Sequence, residues 1–437
     1  MIKTSLMRTE RASLSRKWLE RYDEVRNQTL KLVETLGPDD QMVQSMPDAS
    51  PAKWHSAHTT WFFETFILAP HMRDYAPFDA RFGFLFNSYY KRLGNHPNRA
   101  IRGTFSRPTL DQIRHYRTYV DSGVRELLAR EASAETLRLL ELGLNHEQQH
   151  QELIITDIKH AFWTNPLRPS YQPSQMQAVE SGGAPLAWCY FDEGIYEAGH
   201  DLRGFAFDNE LPRHRTYITP FRIGSRLVTN KEYQAFMDDG GYTRPELWLS
   251  DAWDHVSGEG WTAPLYWERT EDGWTQFTCR GTLPLNPNEP VCHVSFYEAD
   301  AFARWANARL PTEFEWEVAA GFAGNSAMTS GNLLESETYH PRPATAQAGL
   351  QQIFGDAWEW TASPYSAYPG YCPPAGLEGE YNGKFMCNQI VLRGGSCATP
   401  ASHIRKSYRN YFPPQARWQF SGIRLAQDGL ARDRTDS

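Results

Sequence analysis

Residues 133–162, SAETLRLLELGLNHEQQHQELIITDIKHAF, carry apolar residues at helical intervals over thirty positions with one glycine, Gly143. That pattern dictates a single helix roughly 45 Å long, and most of the stability of such a helix must come from neighbours that cover its apolar face. Three upstream segments can supply them: residues 13–36, closed by Gly37-Pro38; residues 52–68, opened by the Asp-Ala-Ser-Pro turn at 48–51; and residues 110–130. The pattern predicts a four-helix bundle over residues 1–165, an architecture that builds metal sites from inward-facing side chains.

The texture changes beyond that point. Pro166, Pro169 and Pro173, followed by SGGAP, mark a linker over 166–185. Residues 186–437 then alternate short aromatic strand-like pieces with Gly/Pro turns, and two helical stretches stand out, NKEYQAFMDDGG and SFYEADAFARWANAR. A mixed α+β domain is expected there. Two domains also suit 437 residues, too many for one ordinary core. A net charge of −8 argues against nucleic acid or an acidic membrane as the main partner. The sequence has no apolar run of about 18 residues and no signal-like apolar stretch at its N-terminus, so cytoplasmic placement is the expectation. Cys189, Cys279, Cys292, Cys372, Cys387 and Cys397 are scattered without a CxxC and read as reduced thiols. Aromatic residues are abundant, with 15 Trp, 21 Tyr and 23 Phe; they can fill a loop-rich core or line a pocket for an organic cation.

Chemistry is concentrated in LNHEQQHQEL. His146 and His150 are four apart on the long helix, so their rings share a face and can bind one metal ion. Glu152 lies on another part of the helix and suits a supporting role better than ligation. A third ligand is expected from the second helix, where WHSAH offers His55 and His58. The apolar stripe formed by Trp54, Ala57, Trp61 and Phe62 favours His58. Spacing alone leaves open an exposed polar face, and it does not separate zinc from iron.

Taken in order along the chain, WHSAHTTWFFET, NHEQQHQE, RLVTNKEYQAFMDDGGYTRPELWLS, PVCHVSFYEADAFARWANARLPTEFEWEVAA, GDAWEWTASPY and LRGGSCAT resemble the ergothioneine sulfoxide synthases, the EgtB family. The resemblance implies a DinB-like four-helix bundle followed by a formylglycine-generating-enzyme-like domain, a variant of the C-type lectin fold. It implies a non-haem Fe(II) oxidoreductase with O2 as co-substrate and His58, His146 and His150 as ligands. Gln149, Asn410, Tyr411 and Tyr381 fall where the family contacts hercynine (Nα-trimethylhistidine). Trp360, Arg309, Glu313, Glu317 and Arg393 read as structural.

Three neutral histidines leave the ferrous charge uncompensated, which favours an anionic thiolate partner. They also leave positions for the two substrates and O2. The family needs an acidic hydroxyl near the iron; counting back from Tyr381 gives Glu378, so Tyr89 and Tyr90 in FNSYYKRLG are expected to replace it, one of the two facing the site. Phe412 stands where the γ-glutamylcysteine-using branch has an aspartate, and Arg99 and Arg102 are placed to clamp a carboxylate. Cysteine is therefore the expected donor, with γ-glutamylcysteine the alternative. A 5-histidylcysteine sulfoxide synthase would normally carry a further methyltransferase domain, whereas this chain ends soon after FSGIRLA. A selenium-using relative is a further possibility. A DinB-type zinc hydrolase or transferase and a lectin-like binding module are the other classes considered.

Overall fold

The computed structural model describes residues 2–130, 132–172, 183–375 and 379–429. The chain divides into two compact units, Met1–Leu167 and Arg168–Ser437. Much of the expected linker, including Pro173, and also Glu378, lies outside the described residues.

In the first unit the four expected helices form: α1 (Ile2–Val33), α2 (Ala52–Phe63), α3 (Leu110–Ala129) and α4 (Ala134–Thr164). α1 starts well ahead of the expected Ser13. Thr109 caps α3 in a reciprocal box with Gln112, and the Ser133 side chain accepts the Thr136 N–H at the start of α4, which satisfies N–H groups that have no helical partner. α2 does not run straight to Leu68; it widens into a π-helical turn over Glu64–Leu68. Glu64 there accepts the hydroxyls of Tyr75 at 2.8 Å and Tyr116 at 2.7 Å and the Phe78 N–H at 2.9 Å, pinning the long α2–α3 connection to the bundle.

A buried ionic network ties three helices together. Arg26 of α1 donates to Asp121 of α3 at 2.7 Å and to Glu147 of α4 at 2.8 Å. Glu147 also accepts Arg117 and Thr29, each at 2.6 Å. Burial raises the Glu147 pKa, but Arg117 and Arg26 outweigh it and hold the carboxyl down at about 2. Each of these charges has an opposite partner, which is the condition for burying them.

The second unit is an α+β domain. Strands β1 (Trp188–Phe191), β4 (Phe221–Gly224) and β12 (Ala426–Asp428) make one sheet, with β4 in the middle. A second runs β10 (Asn410–Phe412), β9 (Ile390–Arg393), β8 (Trp358–Pro364) and β11 (Ser421–Gly422), antiparallel except for β8–β11. β2 (Gly194–Ala198) pairs with β3 (His214–Ile218), and β5 (Trp267–Thr270), β6 (Gly273–Thr278) and β7 (Gly281–Pro284) form a meander. Beside the two expected helices, α5 (Asn230–Asp238) and α7 (Phe296–Trp305), the unit contains α6 (Ser250–Glu259) and α8 (Glu313–Thr329). α5, α7 and α8 each open on a Ser/Thr-x-x-Glu box.

Residues read as structural do hold this unit. Glu359 is fully buried and takes Arg424 at 2.7 and 2.8 Å and the Trp316 indole at 2.8 Å. Arg309 pairs with Glu315, Arg409 with Glu313 and Arg393 with Glu317. Trp360 is fully buried and donates to the Val294 carbonyl at 2.9 Å. Among the described residues no helix is long and apolar enough to cross a membrane.

Gly143 explains how α4 comes close to α2. A Cβ there would stand 2.8 Å from Phe63 Cε1 and 3.0 Å from Phe62 Cδ1. Gly143→Val is therefore expected to overpack this contact and cost about 1–3 kcal/mol, read as a lower Tm by calorimetry; an unchanged Tm would show that the two helices are not held at this point.

Candidate metal centre

α2 and α4 bring His58, His146 and His150 together in the bundle core, with one nitrogen of each within 4.8 Å of the others. The i, i+4 spacing puts the two α4 rings on one face, and their Nε2 atoms lie 3.1 Å apart. An ion bonded at 2.0–2.1 Å holds neighbouring ligand nitrogens roughly 3–3.4 Å apart. His58 Nδ1 donates to the Phe86 carbonyl at 2.6 Å. That bond fixes the proton on Nδ1 and leaves Nε2, buried and without a hydrogen-bond partner among the described residues, as a lone pair aimed inward. Three imidazoles buried this way lose affinity for protons: desolvation lowers His58 and His150, with His146 adding to the effect, and desolvation takes His146 down to about 3. They are neutral donors at physiological pH, the form that binds metal. The residues fit a divalent transition ion.

The walls are aromatic. Trp54 and Trp61 lie on opposite sides of His58 in sequence and both stack on it, at 4.5 and 5.4 Å and 15° in each case. Trp54 carries the Arg102 guanidinium on its ring, 3.5 Å from the centroid. Arg102 is buried and donates to Ser50 Oγ at 2.9 Å, with no carboxylate in ion-pair range among the described residues. Burial and then Arg99 lower its pKa to about 9. Arg99 is exposed and donates to the Asp48 carbonyl.

Tyr90 is buried against Phe66 at 5.0 Å and Trp61 at 5.7 Å. Tyr89 lies beside it. Residues 87–90 form a bend, not a helix or strand, and the Tyr89 and Tyr90 rings stack at 4.6 Å and 29°. Gln149 sits half-buried on α4, and Glu152 is buried there but is not among the converging ligand atoms.

His55, set aside in favour of His58, faces the same core. Its Nδ1 meets His150 Nδ1 at 2.7 Å, and its Nε2 meets Asp157 Oδ2 at 3.0 Å. Sequence reasoning missed Asp157. The available signal was its position seven residues after His150, two helical turns along the same face.

In the second unit, Asn410, Tyr411 and Phe412 form β10, all half-buried. Tyr411 stacks on Tyr365 at 3.9 Å and 10°, with Phe385 at 6.0 Å. Its hydroxyl donates to Asn382 Oδ1 at 3.2 Å. Asn382 and Tyr371 in turn donate to Asp208, at 2.6 and 2.8 Å. Tyr381 stands apart from that stack, buried against Phe207 at 5.4 Å and 13°. Phe412 meets Trp418 edge-on at 6.0 Å.

A buried three-histidine centre in a helical unit, followed by an α+β unit, defines a two-domain metal-binding protein of the enzyme type. Residues 191–429 match the sulfatase-modifying factor enzyme 1-like domain family. The hercynine oxygenase of Mycolicibacterium thermoresistibile is 33% identical over 96% of this chain and 95% of its own length. That of Mycobacterium tuberculosis is 35% identical over 65% and 70%. The formylglycine-generating enzyme of Streptomyces coelicolor is 32% identical over 52% of this chain and 83% of its own length. The chain belongs to the hercynine oxygenase family, and it is an oxidoreductase.

Single replacement of His58, His146 or His150 by Ala is expected to reduce bound metal to less than a tenth of wild type after equilibration with limiting ion, measured by elemental analysis. Glu152→Ala should keep it. Retention by any histidine variant would remove that residue from the ligand set.

Proposed function

We propose that this enzyme joins the sulfur of cysteine to the imidazole C2 of hercynine and oxidises the product to hercynylcysteine sulfoxide, with Fe(II) held by His58, His146 and His150. The observation that carries this reading is the buried, neutral three-nitrogen face in a member of the hercynine oxygenase family. The reaction balances without a further reductant. The thiol S–H and the ring C–H break, a C–S and an S–O bond form, and the second oxygen atom of O2 leaves with both hydrogens as water. Bound Fe(II) would supply the one-electron chemistry that lets O2 react with paired-electron substrates.

The remaining roles belong to the protein. Three uncharged ligands contribute no negative charge, so a thiolate is favoured beside them. Arg102, buried and lacking a carboxylate partner among the described residues, is suited to the carboxylate of the thiol donor. Arg99 would assist it. Cysteine is favoured over γ-glutamylcysteine because Phe412 packs on Trp418 where an acid would be needed to read the glutamyl amine. Asn410, Tyr411 and Tyr381, together with Gln149, are assigned to hercynine; the stacked Tyr411 and Tyr365 rings near Asp208 suit a permanent organic cation. Tyr89 and Tyr90 are assigned as the hydroxyl pair from which a proton is delivered to the oxygen being reduced.

Reconstitution with Fe(II) under anaerobic conditions, followed by O2 uptake and mass analysis of products, tests the reaction. Hercynine plus cysteine should yield the sulfoxide with one O2 consumed per product. Higher turnover with γ-glutamylcysteine would reassign the donor, turnover with unmethylated histidine would reassign the acceptor, and failure with every pair would end the proposal. Arg102→Met should raise the KM for cysteine about 10–100-fold, the loss of one charge-assisted contact of roughly 1.5–3 kcal/mol, with a smaller change in kcat. Tyr89→Phe or Tyr90→Phe should divert flux to cysteine sulfinate, formed from the thiol and O2 alone. Normal product ratios in both variants would exclude the pair.

A further inference from the structure

We infer that His55 and Asp157 form a positioning relay that fixes the proton on His150 Nδ1 and so presents His150 Nε2 to the metal. The inference rests on the three-histidine centre but not on the reaction catalysed there.

The polarity of the chain follows from donor and acceptor rules. An imidazole that binds an ion through Nε2 in its neutral form must carry its hydrogen on Nδ1. His150 Nδ1, 2.7 Å from His55 Nδ1, must then donate, and His55 Nδ1 must accept. His55 is left with its hydrogen on Nε2, which donates to Asp157 Oδ2 at 3.0 Å. A carboxylate can only accept, so Asp157 terminates the chain in the direction metal binding requires. Its Oδ2 is held in turn by the Ser50 N–H at 2.8 Å. His55, His150 and Asp157 are all buried, so water does not compete for these contacts.

The arrangement also explains the second histidine of WHSAH. His55 and His58 lie three apart on α2 and both face α4, but they do different work. His58 offers a nitrogen to the ion and backs it with the Phe86 carbonyl. His55 gives His150 the equivalent backing, which the helix cannot supply from its own carbonyls because those are engaged along α4. Asp157 adds a full negative charge behind the pair, which raises the basicity of the ligand nitrogen.

The test uses Co(II) as an optical probe titrated into metal-free protein, so it does not depend on turnover. His55→Leu and Asp157→Leu should each weaken Co(II) binding about 10–100-fold and alter the ligand-field spectrum. His55→Asn places an amide oxygen where Nδ1 stood, keeps an acceptor for His150, and should recover at least fivefold of the loss seen in His55→Leu. Metal-free Tm values of the two His55 variants serve as the folding control. Equal affinity in wild type and His55→Leu would overturn the relay, as would equal losses in the Leu and Asn variants. Failure of wild type itself to bind Co(II) would instead remove the metal centre on which the relay rests.

Discussion

Three imidazole lone pairs aimed at one buried point repel each other unless a cation lies between them, and the helical unit is organised around that constraint. Desolvation disfavours a second proton on all three rings, so protonation is a poor way to relieve the repulsion and a divalent ion is a good one. Each feature around the centre serves its geometry. Gly143 lets α4 approach the Phe62–Phe63 pair of α2, and the Trp54 and Trp61 rings hold His58 in its plane.

α4 carries two buried polar clusters on different faces, which explains its unusual chemistry. One face bears Glu147 and Gln151. Glu147 is locked to Arg26 and Arg117, and Gln151 donates to the Val25 carbonyl at 2.9 Å. The other bears His146, His150 and Asp157. Glu147 adjoins His146 in sequence, yet its charge is already matched by two guanidiniums, so it does not make a fourth, anionic ligand. A carboxylate free to turn inward would offset the charge of the ion and reduce its demand for an anionic substrate. The face that Glu147 occupies, together with its pairing to Arg26 and Arg117, keeps its carboxylate out of the uncharged ligand set.

Much of this was legible in the sequence where one signal dominated. Uninterrupted helical periodicity located all four long helices, and the i, i+4 histidines located the centre. The unread parts share a physical reason: they depend on what a residue meets across space. The widening of the helix at Glu64 follows from three donors on a distant loop and on α3, and nothing local announces it. α8 was overlooked because its buried positions mix charged and apolar residues; Glu313, Glu315 and Glu317 are buried along with Trp316, Ala319 and Ala320, so no amphipathic period marks it. The stacking of Tyr89 on Tyr90 follows from a bend, which no periodicity marks. His55 was discounted because only one further ligand was needed and the apolar stripe favoured His58, a count that ignores what must stand behind each ligand.

Charge accounting links the donor set to the proposed substrates. The helical unit would bury two kinds of positive charge close together, a divalent ion on neutral nitrogens and the Arg102 guanidinium on the Trp54 face. The carboxylate nearest by its effect is Asp157, which acts on both Arg102 and His55 but spends its hydrogen-bonding oxygen on Ser50 and His55. On the proposed reading, negative charge would arrive with the substrate. A cysteine thiolate brings two such groups separated by a short carbon chain, one soft enough for the ion and one planar enough for a guanidinium. A protein carboxylate in either place would stabilise the empty enzyme at the expense of the complex. On the proposed reading both positive centres are short of anions, and binding of the thiol donor would complete their electrostatics.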